Sequence, residues 1–522
     1  MMADEYLDDR AKAYDLDQPI IGHELHWPPR QRRTVPAGLW LVHRKLYDLN
    51  SFVDHHPGGP QLIGLGRGSD ATALVESYHA LADRSKVDRV LSEFYVRDAT
   101  EAETPLEAKE RLEWSDCGFY RTLANRVAAV LTPAIRQQRR RNGLYACMSA
   151  CVCLLWSTAV SGLADTDATS SYATRVMLPA VMAGLLLCCL LGAFHEAGHG
   201  ALFDARCRVP MGFASMTANR LAAAGGTLLT GVSDEVFTES HAGDHHTHPN
   251  LPGADLDPEM WEPLLRKCSH APWHPWHAYQ HFFAPILYLA SATALSLTHQ
   301  RRLGASLSAS LRRRMRRRGS ATMARGTAVE AAGVADGGDD LWAVVGELML
   351  IVAHWTLVAL LPMGIALSHS GGAGMARAIA AIVAHKALLG GGYALLFLGA
   401  HETRACIAAS QGALSGGAPL DWGVYQLGTT ANVVGAVCSS RAFERLTWGI
   451  LQQSEHHLFP GLSHVHFAAV RPVLELTCRE FGVQLCTVRG GLCGAAIEHW
   501  KLLRTLSARG SAIKARRGSN GR

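Results

Sequence analysis

Five stretches of the chain are almost unbroken apolar runs, at 144–164, 176–194, 282–297, 341–367 and 378–400. A helix that crosses a membrane needs about 20 apolar residues, so 282–297 falls short while the other four qualify. The first run is preceded by RQQRRRN and followed by the acidic, polar DTDATSSY. Basic flanks stay on the cytosolic side, so the first span is predicted to start in the cytosol and the second to return there. The run at 282–297 leads into an arginine-rich loop and is read as an interfacial or re-entrant helix, which leaves four crossings. On that count, the segments after 194 and after 400 both emerge in the cytosol. His385 and Lys386 interrupt the last run near its middle; ionisable groups there are costly unless they face the protein interior.

The polar stretches divide the rest. Residues 1–35 read as a polar tail, 36–98 as a small soluble domain of short mixed elements, and 99–143 as a charged helical linker. A membrane domain is expected over 144–500, carrying a basic, Gly/Ala/Ser-rich insertion at 301–340 expected to be disordered. A basic tail, 501–522, follows. No internal repeat is visible.

Composition supports a membrane protein with soluble attachments: of 522 residues, 48% are hydrophobic, more than a soluble enzyme needs. The net charge of +5 resides in short clusters such as Arg139–Arg141 and Arg312–Arg318 beside apolar runs, the pattern of membrane-flanking loops and not of a nucleic-acid surface. Several of the 13 cysteines, including Cys147, Cys151, Cys153, Cys188 and Cys189, lie within apolar runs as small hydrophobes, and no disulfide framework or zinc ribbon is apparent. The acidic start MMADEYLDDRAKAYDLD lacks the layout of a secretory signal, so the N-terminal module is expected to stay in the cytosol.

Histidine changes the picture. There are 26, many grouped at the ends of apolar runs, so metal or haem ligation leads. In the soluble domain, His56 of HPGG and His79 of ESYH could close on the two faces of one haem, with Pro57, Gly58 and Gly59 making a tight turn that lets the porphyrin approach the backbone. Two axial histidines leave iron no open position, which suits electron transfer. This stretch, with YDL before and DAT after the HPGG, resembles cytochrome b5 over about 60 residues, which implies a small α+β haem b domain. His55 is read as a solvated neighbour.

Three further clusters stand at membrane edges. HEAGH supplies His195 and His199, four apart and therefore on one helical face; alone, it also fits a zinc protease with Glu196 as base. ESHAGDHHTHPNLPGADLDPE supplies His241, His245 and His246, followed by Asn250, Asp255 and Asp257. LQQSEHHLFPGLSH supplies His456 and His457, with Gln453 three residues before the pair. One zinc needs three or four protein ligands, so seven histidines point to two metals.

The clusters resemble the three boxes of membrane fatty-acyl desaturases, H-x-x-x-H, H-x-x-x-H-H and Q-x-x-H-H. The glutamine opening the third box, behind a cytochrome b5-like module, resembles the front-end subgroup, as do DWGVYQLGTTAN (421–432), EHHLFPGLSHVHF and CREFGV (478–483). The chain departs from the family at Glu196, where Asp is usual, and at Leu451, where Asn is common.

The resemblance implies an integral-membrane, all-α domain with about four transmembrane helices and a cytosolic di-iron cap holding two iron ions. It implies a fatty acyl lipid or acyl-CoA substrate, O2, NADH-cytochrome b5 reductase as electron donor, and the endoplasmic reticulum membrane. It also adds His401, in LGAHETRAC, as an eighth ligand.

Removing two hydrogens from an unactivated alkyl chain needs an O2-derived oxidant held at metal, because no side chain is basic or nucleophilic enough. Neutral imidazoles hold iron while leaving positions open. Gln453 is too weak a ligand to copy histidine and is expected to orient a bound water or a neighbouring imidazole; Asn250, Asp255 and Asp257 could do the same or cap a helix. His248, His464 and His466 are weaker ligand candidates, and His354, His369 and His385 are read as packed or interfacial. The second box followed by N-x-x-x-x-D-x-D looks more like Δ5 than Δ6 enzymes. A sphingolipid long-chain-base desaturase, a lipid hydroxylase and an intramembrane zinc protease remain alternatives, as does a membrane electron carrier with a decayed oxygenase half.

Overall fold

The computed structural model describes residues 35–104, 112–134, 142–165, 172–203, 213–251, 254–255, 261–269, 271–323, 340–414 and 419–509. The polar tail expected over 1–35 lies almost wholly outside the described residues, as do Asp257 and the end of the C-terminal tail.

The N-terminal module is a three-stranded antiparallel sheet in the order β1 (Trp40–Val42), β2 (Lys45–Tyr47), β3 (Tyr95–Asp98). Trp40, Val42, Tyr47, Leu49 and Ala71 close its core, and the Trp40 indole donates to the Ile63 carbonyl at 2.7 Å. Helices α1 (Thr72–Tyr78) and α2 (Arg84–Glu93) pack on that core through Val75 and Leu91. Asp83 caps α2 by accepting from the Ser85 amide, which satisfies one of the donors a helix start leaves open.

Within the stretch expected as a linker, α3 (Phe119–Ala134) is a core helix. Phe119, Tyr120, Leu123, Val127 and Leu131 recur at helical spacing and are buried against Leu458, Phe459, Val470 and Leu474, beside and beyond the third histidine cluster.

Three helical stretches are long and apolar enough to cross a membrane: Gly143–Gly162, Ala173–Gly198 and Leu341–His401. The last has 61 residues and as a straight helix would be about 90 Å long, some three times a bilayer core. It folds back at Gly371, whose φ of 57° and ψ of −142° are not helical. His354 and Lys386, on opposite sides of that glycine, meet at 2.9 Å between Nε2 and Nζ. The stretch is thus two antiparallel arms, and the apolar helices offer four lengths sufficient to cross a bilayer. A further pair, Pro275–Leu289 and Ser291–Arg312, bends by 74°, which suits the interfacial or re-entrant reading of 282–297.

The arm ending at His401 runs alongside α4 (Leu178–Gly198) in the same direction. Gly184 lies against His385 and Leu388, and Gly392 against Cys188; such small residues let helix backbones approach. Lys386, the awkward charge of the last run, is buried and donates to the Thr230 carbonyl at 2.8 Å, and His385 faces the Ala180 carbonyl.

Two expectations are corrected. The segment from 301 is not a disordered insertion at its start: α5 (Ser291–Met323) continues through it, because its Ala, Leu, Ser and Arg residues are adequate helix formers with no proline among them. Residues 324–339 lie outside the described residues. At the other end, the helix Gly491–Ser507 buries Leu502, Leu503 and Leu506, so the tail starts later than 501.

Candidate metal centre and haem cavity

The histidines converge from four places. His195 sits on the last turn of α4, and His199 caps its end. His241 and His245 belong to a π-helical turn, Glu239–His245, in which the His246 amide donates to the His241 carbonyl five residues back. This wider turn swings His246 over His241 and sends His245 elsewhere. His456 and His457 are neighbours on the short helix Gln453–Leu458, and His401 ends the last span.

They form two buried groups. His195, His199, His241, His246 and His456 offer ring nitrogens all within 4.8 Å of one another, and His245, His401 and His457 form the second set. In the first, Nε2 of His241 lies 2.7 Å from that of His195 and 3.0 Å from that of His246, which is in turn 3.0 Å from that of His456. Nε2 of His199, Nε2 of His457 and Nδ1 of His401 are buried without a hydrogen-bond partner. Buried polar atoms are rarely left so, and converging nitrogens with spare lone pairs are the donor set a cation requires. Burial first, and repulsion among the imidazoles second, holds His241, His246, His456 and His457 well below the ordinary histidine range, so at neutral pH they are in the ligating form.

The far nitrogens are held by partners. Asp255 Oδ2 takes Nδ1 of His245 at 2.8 Å, Gln426 Oε1 takes Nδ1 of His457 at 3.0 Å, and the Tyr78 hydroxyl meets Nδ1 of His199 at 2.7 Å. These contacts aim Nε2 inward. Gln453 meets a neighbouring imidazole: its Oε1 lies 3.3 Å from Nε2 of His401, and its Nε2 donates to the Ile450 carbonyl. Asn250 donates from its amide to Asp255 and from its side chain to the His401 carbonyl.

Gln426 and Tyr78 were not singled out as site residues by sequence. Gln426 stands in DWGVYQLGTTAN, whose helix Trp422–Thr429 also grips the second cluster: Trp422 donates to the Thr247 carbonyl and Tyr425 to the Pro249 carbonyl. Glu196 is committed to the loop after the third cluster, accepting from the His464 amide at 2.7 Å and facing the His464 ring at 2.7 Å. A general base for peptide hydrolysis would need that carboxylate free. His464 is thereby drawn away from the metal groups, and His248 bonds Thr247.

In the N-terminal module, His56 Nδ1 bonds the Gly59 carbonyl and His79 Nδ1 the Val75 carbonyl. Both rings therefore present Nε2 to each other, with centroids 6.0 Å apart. That spacing fits two imidazole–metal bonds of about 2 Å each on one iron. Burial lowers both, His56 to about 4. They line a cavity of about 270 Å3 with Trp40, Phe52, Leu62 and Leu74, and its far wall belongs to the other domain: His199, Gly200, Phe459, Gly461 and Leu462.

Family models match both parts of the chain. The fatty acid desaturase model matches residues 173–488, and the cytochrome b5-like heme/steroid binding domain model matches 31–100. The chain is 27% identical to an acyl-lipid (8-3)-desaturase of Physcomitrium patens over 87% of its own length and 85% of the relative's. It is 23% identical to an acyl-lipid (8-3)-desaturase of Mortierella alpina, over 94% and 98%, and 26% identical to Delta(5) fatty acid desaturase A of Dictyostelium discoideum, over 52% and 55%.

Proposed function

Because the chain belongs to the fatty acid desaturase family and carries a cytochrome b5 domain, we propose that it is a front-end acyl desaturase with two iron ions and one haem b. The observation that carries this is the convergence of eight histidines into one group of five and one of three against the wall of the haem cavity.

His195, His199, His241, His246 and His456 hold one iron; His245, His401 and His457 hold the other. His56 and His79 would hold the haem iron. When bound, the irons turn O2 into the oxidant and the haem supplies electrons. The chain's own part is to fix the imidazoles: Asp255, Gln426 and Tyr78 hold the outward ring nitrogens of His245, His457 and His199, and Gln453 steadies His401. The burial of all eight histidines keeps bulk water from the oxidant.

NADH-cytochrome b5 reductase is the electron source, and the endoplasmic reticulum membrane the site, with haem and histidines on its cytosolic face. Both histidine-bearing spans end on that one side. A Δ5 position for the new double bond follows from the long second box and from likeness to a Delta(5) relative. The acyl carrier is a phospholipid or coenzyme A.

Expression in yeast fed C18 and C20 polyunsaturated acids, with gas chromatography of lipid classes, tests the reading. A new cis double bond on the carboxyl side of an existing one is expected. An alcohol, a desaturated sphingoid base or no product would each overturn it.

A further inference from the structure

The two cofactor sites adjoin, and Tyr78 reaches from one to the other. Tyr78 precedes His79 in sequence, and its hydroxyl is 2.7 Å from Nδ1 of His199, with the rings 6.3 Å apart. His199 belongs to the group of five. Tyr78 itself lines the haem cavity, together with His199 and Gly200. The path from one site to the other is therefore a peptide link, an aromatic ring and one hydrogen bond.

The surroundings hold this contact in place. Gly461, after the third cluster, leaves room for the Tyr78 ring; a Cβ there would stand 3.3 Å from Tyr78 Cδ1. Two residues earlier, the buried Glu76 accepts from Arg121 of α3 at 2.9 Å and from Arg84 of its own module at 2.6 Å. The HPGG turn also meets the membrane domain, with Gly59 against Met216.

We propose that Tyr78 is a positioning residue that couples the haem to the metal centre, its hydrogen bond to His199 being the electronic contact between them. This rests on the reading of both sites given above. With His199 ligating through Nε2, its Nδ1 carries the proton and donates to the Tyr78 oxygen. In each passage one electron leaves reduced haem, which becomes ferric, and one ferric ion of the metal centre becomes ferrous. Tyr78 is neither oxidised nor deprotonated, and no proton crosses the contact. The transfer is within one chain.

The test uses full-length protein loaded with haem and iron in lipid nanodiscs, with haem reduced anaerobically and its return to the ferric state followed by stopped-flow absorbance. Freeze-quench electron paramagnetic resonance follows the metal centre. Tyr78→Phe keeps the ring and removes the hydroxyl. Haem reoxidation is expected to slow by about tenfold or more when the variant is loaded to the parent's iron content, with haem content, Soret spectrum and haem potential unchanged. Dithionite should reduce the variant's metal centre as fully as the parent's.

Reoxidation at the parental rate would overturn the proposal, as would slowing accompanied by a matching loss of iron, because Tyr78 would then be only a support for His199. Gly461→Ala provides a second arm: pressing on the ring without removing the hydroxyl, it should slow the same step without changing the haem spectrum, and a parental rate there counts against the proposal. If the parent chain binds neither haem nor iron, the underlying reading of the sites fails, a different result from a failed bridge.

Discussion

Gln426 Oε1 lies 3.0 Å from Nδ1 of His457 while Gln426 Nε2 donates to the His246 carbonyl at 3.0 Å. One amide thus reads two of the clusters at once, fixing a ring of the third and the backbone of the second. Removing such a partner typically costs 10–100-fold in metal affinity. Gln426→Leu is accordingly expected to lose iron from the His245, His401 and His457 group during dialysis against a chelator. Iron retention equal to the parent's would sink this role.

His401 is the least conspicuous of the eight histidines in sequence, and its removal leaves its group with two imidazoles. Iron per chain in His401→Ala should fall from about two toward about one, since three protein ligands are the usual minimum for such a site. His248→Ala, which removes a ring bonded to Thr247, should leave the stoichiometry unchanged. Mass spectrometry of purified protein distinguishes the two, and equal iron in both variants would contradict the assignment.

Asp234 is half-buried with Glu347 nearby, and desolvation first, then that carboxylate, pushes its pKa up to about 7. Its unfolded value is about 3.9, so the folded state binds the proton more tightly. The folded state therefore loses stability as pH rises from about 4 to about 7, and the penalty is complete above that. Asp234→Asn abolishes the slope. Its melting temperature should exceed the parent's by more at pH 8 than at pH 5; an equal margin at both would show that ionisation is not the cause.

The reversal at Gly371 places the tip of the two long arms on the membrane face opposite His401. In a cysteine-depleted background, His369→Cys should react with an impermeant maleimide only from the luminal side of sealed microsomes, and Ala508→Cys from the cytosolic side. Labelling of both from one face would rule out the four-span arrangement.

Much of this was legible because it is local. Hydropathy marked the spans, and His56, His79 and the three clusters announced themselves by spacing. The partition of the clusters was not legible. A spacing of four pairs His241 with His245 on an ordinary helix, but the π turn gives His241 to His246 and sends His245 to His401. Gln426 and Tyr78 were hidden for a different reason. Their partners are 31 and 121 residues away, and a glutamine or tyrosine carries no mark of what it will meet. The stretch from 301 misled because low complexity describes composition, whereas a helix needs only residues that tolerate it and no proline to stop it.

Helix α3 joins the haem module to the membrane domain, yet Tyr120 donates to the Leu458 carbonyl and from its amide to Asp421, inside the packing of the third cluster. The module is itself bound to that helix, Arg121 donating to Glu76, which leaves it little radius in which to roam. Its local concentration at the metal centre is a constant of the fold, independent of expression level, and a free cytochrome offered in excess would find the berth already filled. Any external electron donor then meets a single fixed terminal, and its supply becomes a matter of that one encounter.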